Sequence, residues 1–365
     1  MSGTRHADVV VLGLGIHGSA ATASIARRGH RVIAIERFGS RHSRGSSHGR
    51  TRMIRRAYPG TAWTGLVGAA YRAWADLERE SGTVLIRRTG GVYAHRGRPD
   101  LHGPRCVTLA GPREVAAHMS GLRIPDTHSA VYDPDAGVIE AADALTALRT
   151  TAVAHGAQLR FDERVLGWEP ITDGVRVRTD RDVVYAGRLV VAAGAYAGDL
   201  LPALAPALQV WRILTLTLHP GQAVAEPPNL GAFSIDRPDG LVFGIPDAAG
   251  NGLKIGVDAR QSWDPERPVA PPTDDDIADL VELAERYVPG IDATPYESAA
   301  CLYTMTEDKR FTVGTLADAP QVILAAACSG HGFKFGPAIG EAVADLHEGV
   351  PRDDLDFIST RRRGL

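Results

Sequence analysis

The chain opens on an apolar run, Val9 to Leu12, that leads directly into Gly13-Leu14-Gly15-Ile16-His17-Gly18. Consecutive apolar residues bounded by glycine predict a short buried strand over 8–12. The small residues of 19–28 predict a helix, with Gly29 as its left-handed terminator. A second apolar strand, 31–35, ends at Glu36. Strand, glycine turn, helix and strand in this order form a βαβ unit. Gly13 permits the tight turn, Gly15 lets the backbone approach a pyrophosphate, and Gly18 lets the helix pack closely on the strand. The helix N-terminus offers free N–H groups and a partial positive charge to phosphates. Glu36 lies about 20 residues further on, where an acid binds a ribose hydroxyl pair. The unit predicts dinucleotide binding. The acid disfavours NADP, and the glycines do not choose between NAD and FAD.

Further along, residues 132–140 predict a turn into a helix over 141–155, which Gly156 ends. Strands are expected over 158–161, 164–167, 174–179 and 188–193, the last stopping at the glycine turn Gly194-Ala195-Tyr196. Residues 209–300 have another style. The runs 241–245 and 253–257 alternate about the turn sequence 247–252, which predicts an antiparallel hairpin. Pro227, Pro228, Pro268, Pro271 and Pro272 mark loops at its margins. Strand period two puts Lys254, Gly256 and Asp258 on one face and Leu253, Ile255 and Val257 on the other. The commoner fate of such a polar face is solvent. Residues 322–326 return to the buried-strand pattern, followed by a glycine-punctuated loop over 328–335 and a helix over 338–346. The simplest fold is α/β, a nucleotide unit interrupted by antiparallel-sheet insertions.

Bulk properties narrow the partners. At 365 residues the chain can hold two packed units. A formal net charge of −3 argues against nucleic acid or an anionic membrane as the main partner. The apolar run near residue 10 is far too short to span a bilayer. Three cysteines, Cys106, Cys301 and Cys328, are too few and too scattered for a disulfide framework or a zinc site. No metal is expected, and the expected compartment is the cytoplasm. Only Lys254, Lys309 and Lys334 among the 40 basic residues are lysines. A lysine kept in so arginine-rich a chain suggests a task that needs a compact point charge.

Three separated segments carry a resemblance: Gly45-Ser-Ser-His-Gly-Arg-Thr-Arg-Met-Ile-Arg-Arg-Ala-Tyr58, Cys301-Leu-Tyr-Thr-Met-Thr-Glu-Asp308 with Phe311, and Ser329-Gly-His-Gly-Phe-Lys-Phe335. With the N-terminal glycines and Gly252-Leu-Lys-Ile-Gly256, the chain resembles, over nearly its whole length, the monomeric sarcosine oxidase and N-methyltryptophan oxidase branch of the D-amino-acid-oxidase-like flavoproteins. The resemblance implies an FAD-binding Rossmann-like domain of the glutathione-reductase type, formed by 1–85, 141–208 and 300–365. The inserted antiparallel-sheet substrate domain would comprise 86–140 and 209–299.

It further implies FAD, joined by its 8α-methyl carbon to the sulfur of Cys301. Cysteine thiolate is the nucleophile, and a nearby cation lowers its pKa. In an extended strand Cys301 and Tyr303 face the same side, so one can hold the flavin while the other lines the substrate pocket. His48 and Arg52 match residues beside the flavin that assist attachment. Arg55 and Lys334 match the cations that bind the substrate carboxylate, a fork and a point charge. Lys254 matches the lysine that activates O2. The remaining flavin contacts carried over are Gly13, Gly15, Ile16, His17, Gly18, Glu36, Arg37, Ser47, Thr51, Val165, Gly194, Gly330, Gly332 and Phe333. Arg50, Arg56 and Lys309 match no role and are expected at the surface. Cys106 and Cys328 are expected to be structural.

The implied activity is oxidation of a secondary amine, most simply an N-methyl α-amino acid, by hydride transfer, with H2O2 as the second product. The expected partners are that substrate and O2, and the expected state is a monomer. Phe243 stands where the sarcosine oxidases have a tyrosine, and Asp258 where they have a histidine. These departures suggest a substrate larger than sarcosine or one carrying a second cation. Asp258 can also be read as a structural acid paired with an arginine. A cyclic imino acid oxidase of a biosynthetic pathway, a dehydrogenase with a protein electron acceptor, and a flavin-binding protein without catalysis are the alternatives.

Overall fold

The computed structural model describes residues 5–246, 248–259, 261–326 and 328–365. Asp247, in the expected hairpin turn, lies outside the described residues. The first sheet has a parallel centre in which Val183–Val191, Arg5–Leu12, Val32–Ile35 and Gln158–Arg160 follow one another. Gly174–Thr179 and Val165–Ile171 extend it antiparallel beyond Val183–Val191. Val322–Ala326 adds in parallel to the end of the same strand, and Thr312–Thr315 pairs with it in turn. Residues 189–191 thus have a neighbour on both sides, and they are the fully buried start of the apolar run 189–193.

The helix Ile16–Arg27 crosses the helix Gly336–His347. A Cβ on Gly340 would come within 2.6 Å of the Ala20 backbone. That crossing needs glycine, and it locks the last helix of the chain onto the first.

The second sheet contains eight strands, in the order Pro295–Met305, Gln209–Leu218, Lys254–Asp258, Gly240–Ile245, Ala232–Arg237, Gly91–Arg96, His128–Asp133 and Val107–Leu109. All neighbours are antiparallel except Ala232–Arg237 with Gly91–Arg96. The expected hairpin is present, with Phe243 opposite Gly256 and Leu241 opposite Asp258. One face carries Val242, Ile255, Leu216 and Leu218, which pack with Leu280 and Leu283 of the helix Asp274–Tyr287. That helix starts on a capping box between Thr273 and Asp276.

Residues 132–140 differ from expectation. After a short turn, Gly137–Glu140 forms a strand between Thr51–Ile54 and Ile86–Arg88. The glycine read as a turn residue instead allows strands to meet, since its Cβ would sit 2.2 Å from the Arg87 carbonyl oxygen. The carboxylate of Asp133 accepts from the N–H groups of Arg56, Ala57 and Asp135. This fixes the chain that follows Arg55.

Candidate active site

Two cavities, of about 1190 Å³ and 640 Å³, share a wall made by Ile16, Ser46, Ser47, His48, Gly49 and Cys328. The larger begins at the glycine turn. Gly13 has φ +92°, and a Cβ there would lie 2.7 Å from the Ala192 oxygen. A Cβ on Gly15 would stand 3.1 Å from Ser47 Oγ, which accepts from the Ile16 N–H. Gly18 lines neither cavity. Its Cβ would fall 1.8 Å from the Gly13 oxygen, so its role is close packing.

Glu36 accepts from the N–H groups of Leu14 and Phe38, at 2.8 and 3.1 Å. Burial works to raise its pKa, but the His42 ring and the Leu14 N–H outweigh it and keep the carboxyl below the usual glutamate range. Arg37 also lines this cavity, although its guanidinium is held by Glu266 and lies over the Phe38 and Tyr196 rings. Val165 and Gly194 are on the same wall. His17 faces it too, with Nε2 3.2 Å from the Gly332 oxygen, and burial lowers its pKa to about 4.

Arg149 was not marked by any motif. It lines this cavity from the helix Ala141–Ala154 and donates to the carbonyls of Leu14 and Ser40, bracing the glycine turn.

The smaller cavity lies against the second sheet. Directly paired residues face the same side of an antiparallel sheet. Leu241, Phe243 and Ile245 therefore share a face with Lys254, Gly256 and Asp258, with Thr215 and Thr217 on the next strand and with Cys301 and Tyr303 beyond. All but Gly256 line the cavity. A Cβ on Gly256 would meet the Phe243 ring at 2.6 Å, so the glycine makes room for it. The polar face is thus a cavity wall and not a solvated surface.

The opposite wall comes from residues 46–58 and 328–334. Arg52 donates to the carbonyls of Ser46, His48 and Thr51, which curls the backbone around its guanidinium. Lys254 Nζ donates to the same Thr51 carbonyl. Burial, reinforced by Arg52, holds the Lys254 ammonium well below the usual lysine range. His48 is lowered to about 4 by burial and by Arg52, and its Nε2 is buried without a hydrogen-bond partner among the described residues. Cys301 departs from expectation. Arg52 and Lys254 do act to lower its pKa, but burial is the larger effect, and the thiol lies above its ordinary value.

Arg55 stacks over Tyr58 and Tyr93, at 4.9 and 4.6 Å from their ring centroids. Lys334 Nζ donates to the His331 carbonyl at 2.9 Å. Burial and the neighbouring Arg55 keep its ammonium well below the usual range. His331, pushed down to about 3 by burial and Lys334, is neutral. Its Nε2 lies 3.0 Å from the Lys309 carbonyl, which can only accept, so Nε2 carries the proton. Nδ1 is then bare and accepts from the Tyr58 hydroxyl at 3.2 Å. Tyr58 thereby keeps its oxygen lone pairs available for Arg55. No sequence motif marked this relay.

Gly330, at φ +77°, packs against the Tyr303 ring, and Gly332 packs against Cys328. Phe333 completes that side beneath the Arg52 guanidinium, 5.4 Å from its ring centroid.

One surface expectation is corrected, while Arg50 and Lys309 are at the surface as expected. Arg56 pairs with Asp135 at 3.1 Å and covers the Tyr71 ring at 3.9 Å, so it anchors the Asp133 turn. Lys309 and Arg50 are exposed but line the smaller cavity. Cys328 lines both cavities. Asp258 pairs with no arginine among the described residues. Burial raises its pKa, with Lys309 acting against the shift.

The glycine turn, the acid at 36 and two joined cavities define a dinucleotide-dependent oxidoreductase with an adjoining substrate chamber. Residues 8–346 match the family of FAD dependent oxidoreductases designated DAO. The chain is 32% identical to monomeric sarcosine oxidase of Streptomyces avermitilis, with 93% of each chain covered. It is 28% identical to N-methyl-L-tryptophan oxidase of Yersinia pestis, over 97% of this chain and 99% of the other. Among solved structures it is similar to NikD, an unusual amino acid oxidase essential for nikkomycin biosynthesis, with TM-score 0.84, 26% identity and 98% of both chains covered. The chain belongs to the DAO family of FAD-dependent oxidoreductases.

The residues present fit FAD: a glycine turn with no space for side chains, an acid at the end of the second strand, and an unpartnered His48 nitrogen where the cavities meet. Gly18→Ala should lower stability by about 1–3 kcal/mol, the usual cost of overpacking, and weaken FAD retention. Urea unfolding checks the first effect, and flavin release on dialysis checks the second when Gly18→Ala is compared with Gly18 in a Cys301→Ser background, where no covalent bond can hold the flavin. Unchanged values would mean the turn has slack.

Proposed function

We propose that this chain oxidises the C–N bond of a secondary α-amino acid, either N-methylated or otherwise N-substituted, and passes the electrons to O2 to give H2O2. Its FAD is tethered by an 8α-S-cysteinyl bond to Cys301. It works as a monomer in the cytoplasm, with nucleotide residues drawn from 1–85, 141–208 and 300–365 and substrate residues from 86–140 and 209–299. The convergence of Arg55, Lys334, Lys254 and Cys301 on one cavity carries the reading. FAD, when bound, supplies acceptance of a hydride from the substrate and its delivery as electrons to O2.

The chain's own residues bind and orient. Arg55, backed by Tyr58 and Tyr93, presents its guanidinium to the substrate carboxylate, and Lys334 adds a second charge. Fixing the carboxylate at one end and the amine in a shielded chamber removes much of the entropy barrier to reaction. Among the described residues no side chain of the chamber is a strong base aimed at a C–H bond, which suits hydride transfer. Lys254 offers a preorganised ammonium to the anion formed when O2 is reduced. A cation destabilised by burial gains most when an anion arrives beside it.

The carboxylate should likewise restore the depressed Lys334 pKa on binding. Between the lowered and restored values, binding then takes up a proton, and affinity falls as pH rises across that window, levelling off above the restored value. Mixing the protein with acetate in weak buffer and a pH indicator should register uptake in the wild type and none in Lys334→Met. Equal uptake in both would remove Lys334 from the carboxylate site.

The whole reading is tested by mixing the protein anaerobically with N-methyl and cyclic amino acids and following the long-wavelength flavin band. If no secondary amino acid bleaches it, the reading is wrong. A cyclic imino acid of a biosynthetic pathway is the second reading. Similarity to NikD, an unusual amino acid oxidase essential for nikkomycin biosynthesis, supports the biosynthetic role, and the same screen separates cyclic from N-methyl substrates.

A further inference from the structure

The chamber is lined by four acids, of which Asp100, Glu297 and Asp308 are exposed, while the Asp258 carboxyl is shielded among its cations. Arg52, Arg55, Lys254 and Lys334 meet the anions the reaction presents, namely the substrate carboxylate and reduced oxygen. None of those anions needs an acid nearby. Asp258 nevertheless sits on the cavity face of its strand, opposite Leu241 and in register with the Phe243 wall. Its carboxyl makes no hydrogen bond or ion pair among the described residues, and Oδ1 is buried without a partner. A shielded, unpaired carboxyl is costly to keep. Lys309, a cation whose charge acts on it, lies on the exposed rim and makes no bond to it among the described residues. The described residues thus leave on this wall an acceptor that a donor arriving with the substrate can satisfy.

We infer that Asp258 selects secondary amino acids whose side chain carries a cationic N–H group, which donates to its carboxylate while Arg55 and Lys334 hold the α-carboxylate. The inference rests on the proposed secondary-amine oxidation and adds the substrate's third point of attachment. The approaching cation would also stabilise the ionised carboxylate, which burial alone disfavours.

The experiment compares Nα-methyl-lysine with N-methyl-2-aminoheptanoic acid, two compounds alike in length, the second with a methyl group in place of the terminal ammonium. In the wild-type holoenzyme, kcat/KM should favour the lysine compound by about tenfold or more, as expected for one hydrogen bond to a charged group. Asp258→Asn should narrow that ratio and Asp258→Leu should invert it, with the flavin spectrum and thermal midpoint of each variant confirming folding. A wild-type ratio of one or less overturns the inference without needing any variant. So does a ratio that Asp258→Leu leaves unchanged, and so does equal loss with both compounds, which would place Asp258 on the reacting amine. If other secondary amino acids bleach the flavin anaerobically but the lysine compound does not, only this inference fails. If none does, the underlying reading fails with it.

Discussion

Acid precipitation of Cys301→Ser should give a colourless pellet beneath a yellow supernatant, whereas the wild-type pellet should stay yellow. The sulfur lies on the strand Pro295–Met305 and faces the chamber alongside Tyr303. A serine oxygen is close in size but lacks the nucleophilicity of a thiolate. Glycine turn and Glu36 are untouched, so the folded variant should still bind FAD before acid is added. The expected change is complete, from all flavin retained to none. Burial holds the free thiol above its ordinary pKa, with Arg52 and Lys254 opposing that shift. Attachment should therefore speed up as pH rises towards the raised value, where the thiolate fraction grows. A colourless wild-type pellet would refute the tether and leave FAD binding intact.

Lys254→Met should slow reoxidation of the reduced enzyme by O2 by roughly 10²–10³-fold, the usual cost of deleting one preorganised charge from a shielded site. Anaerobic reduction by substrate should change far less, because Lys254 is bonded to the Thr51 carbonyl, whereas the proposed carboxylate ligands Arg55 and Lys334 are held separately, by the Tyr58 and Tyr93 rings and by the His331 carbonyl. Stopped-flow mixing measures the two half-reactions separately. Unchanged reoxidation would take the oxygen step away from Lys254. A wild type that air cannot reoxidise within seconds would instead favour a protein electron acceptor.

Much of this site was legible in the sequence because its parts are local or periodic. The glycine turn is contiguous, and Lys254 and Asp258 share a strand face by period two alone. Cys301 was singled out by its flanking residues, not by any physical peculiarity of the thiol. What escaped depends on long-range placement. Arg149 looked like an ordinary helix arginine until the fold brought it to Leu14 and Ser40. Arg56 looked like a surface cation because Asp135 and Tyr71 are distant in sequence. Gly137 was read as a turn because a glycine needed for close approach of two strands carries the same letter. The protonation of His331 follows from a carbonyl on another loop. Asp258 is the reverse case, since its neighbours on the strand could not reveal that it pairs with no arginine among the described residues.

The pleat of the hairpin has a consequence for how such a chamber can diversify. Positions 241, 243 and 258 face the cavity, while 242 and 255 are committed to the core on the other side. Replacing a side chain in the first set alters what the chamber accepts and leaves the packing that holds the sheet alone. Shifting the pairing by one residue would instead turn Ile255 into the chamber and Lys254 into the core, abolishing both at once. New substrate ranges on this framework are therefore reached by substitution at alternate positions, and single-residue insertions within these strands are dead ends.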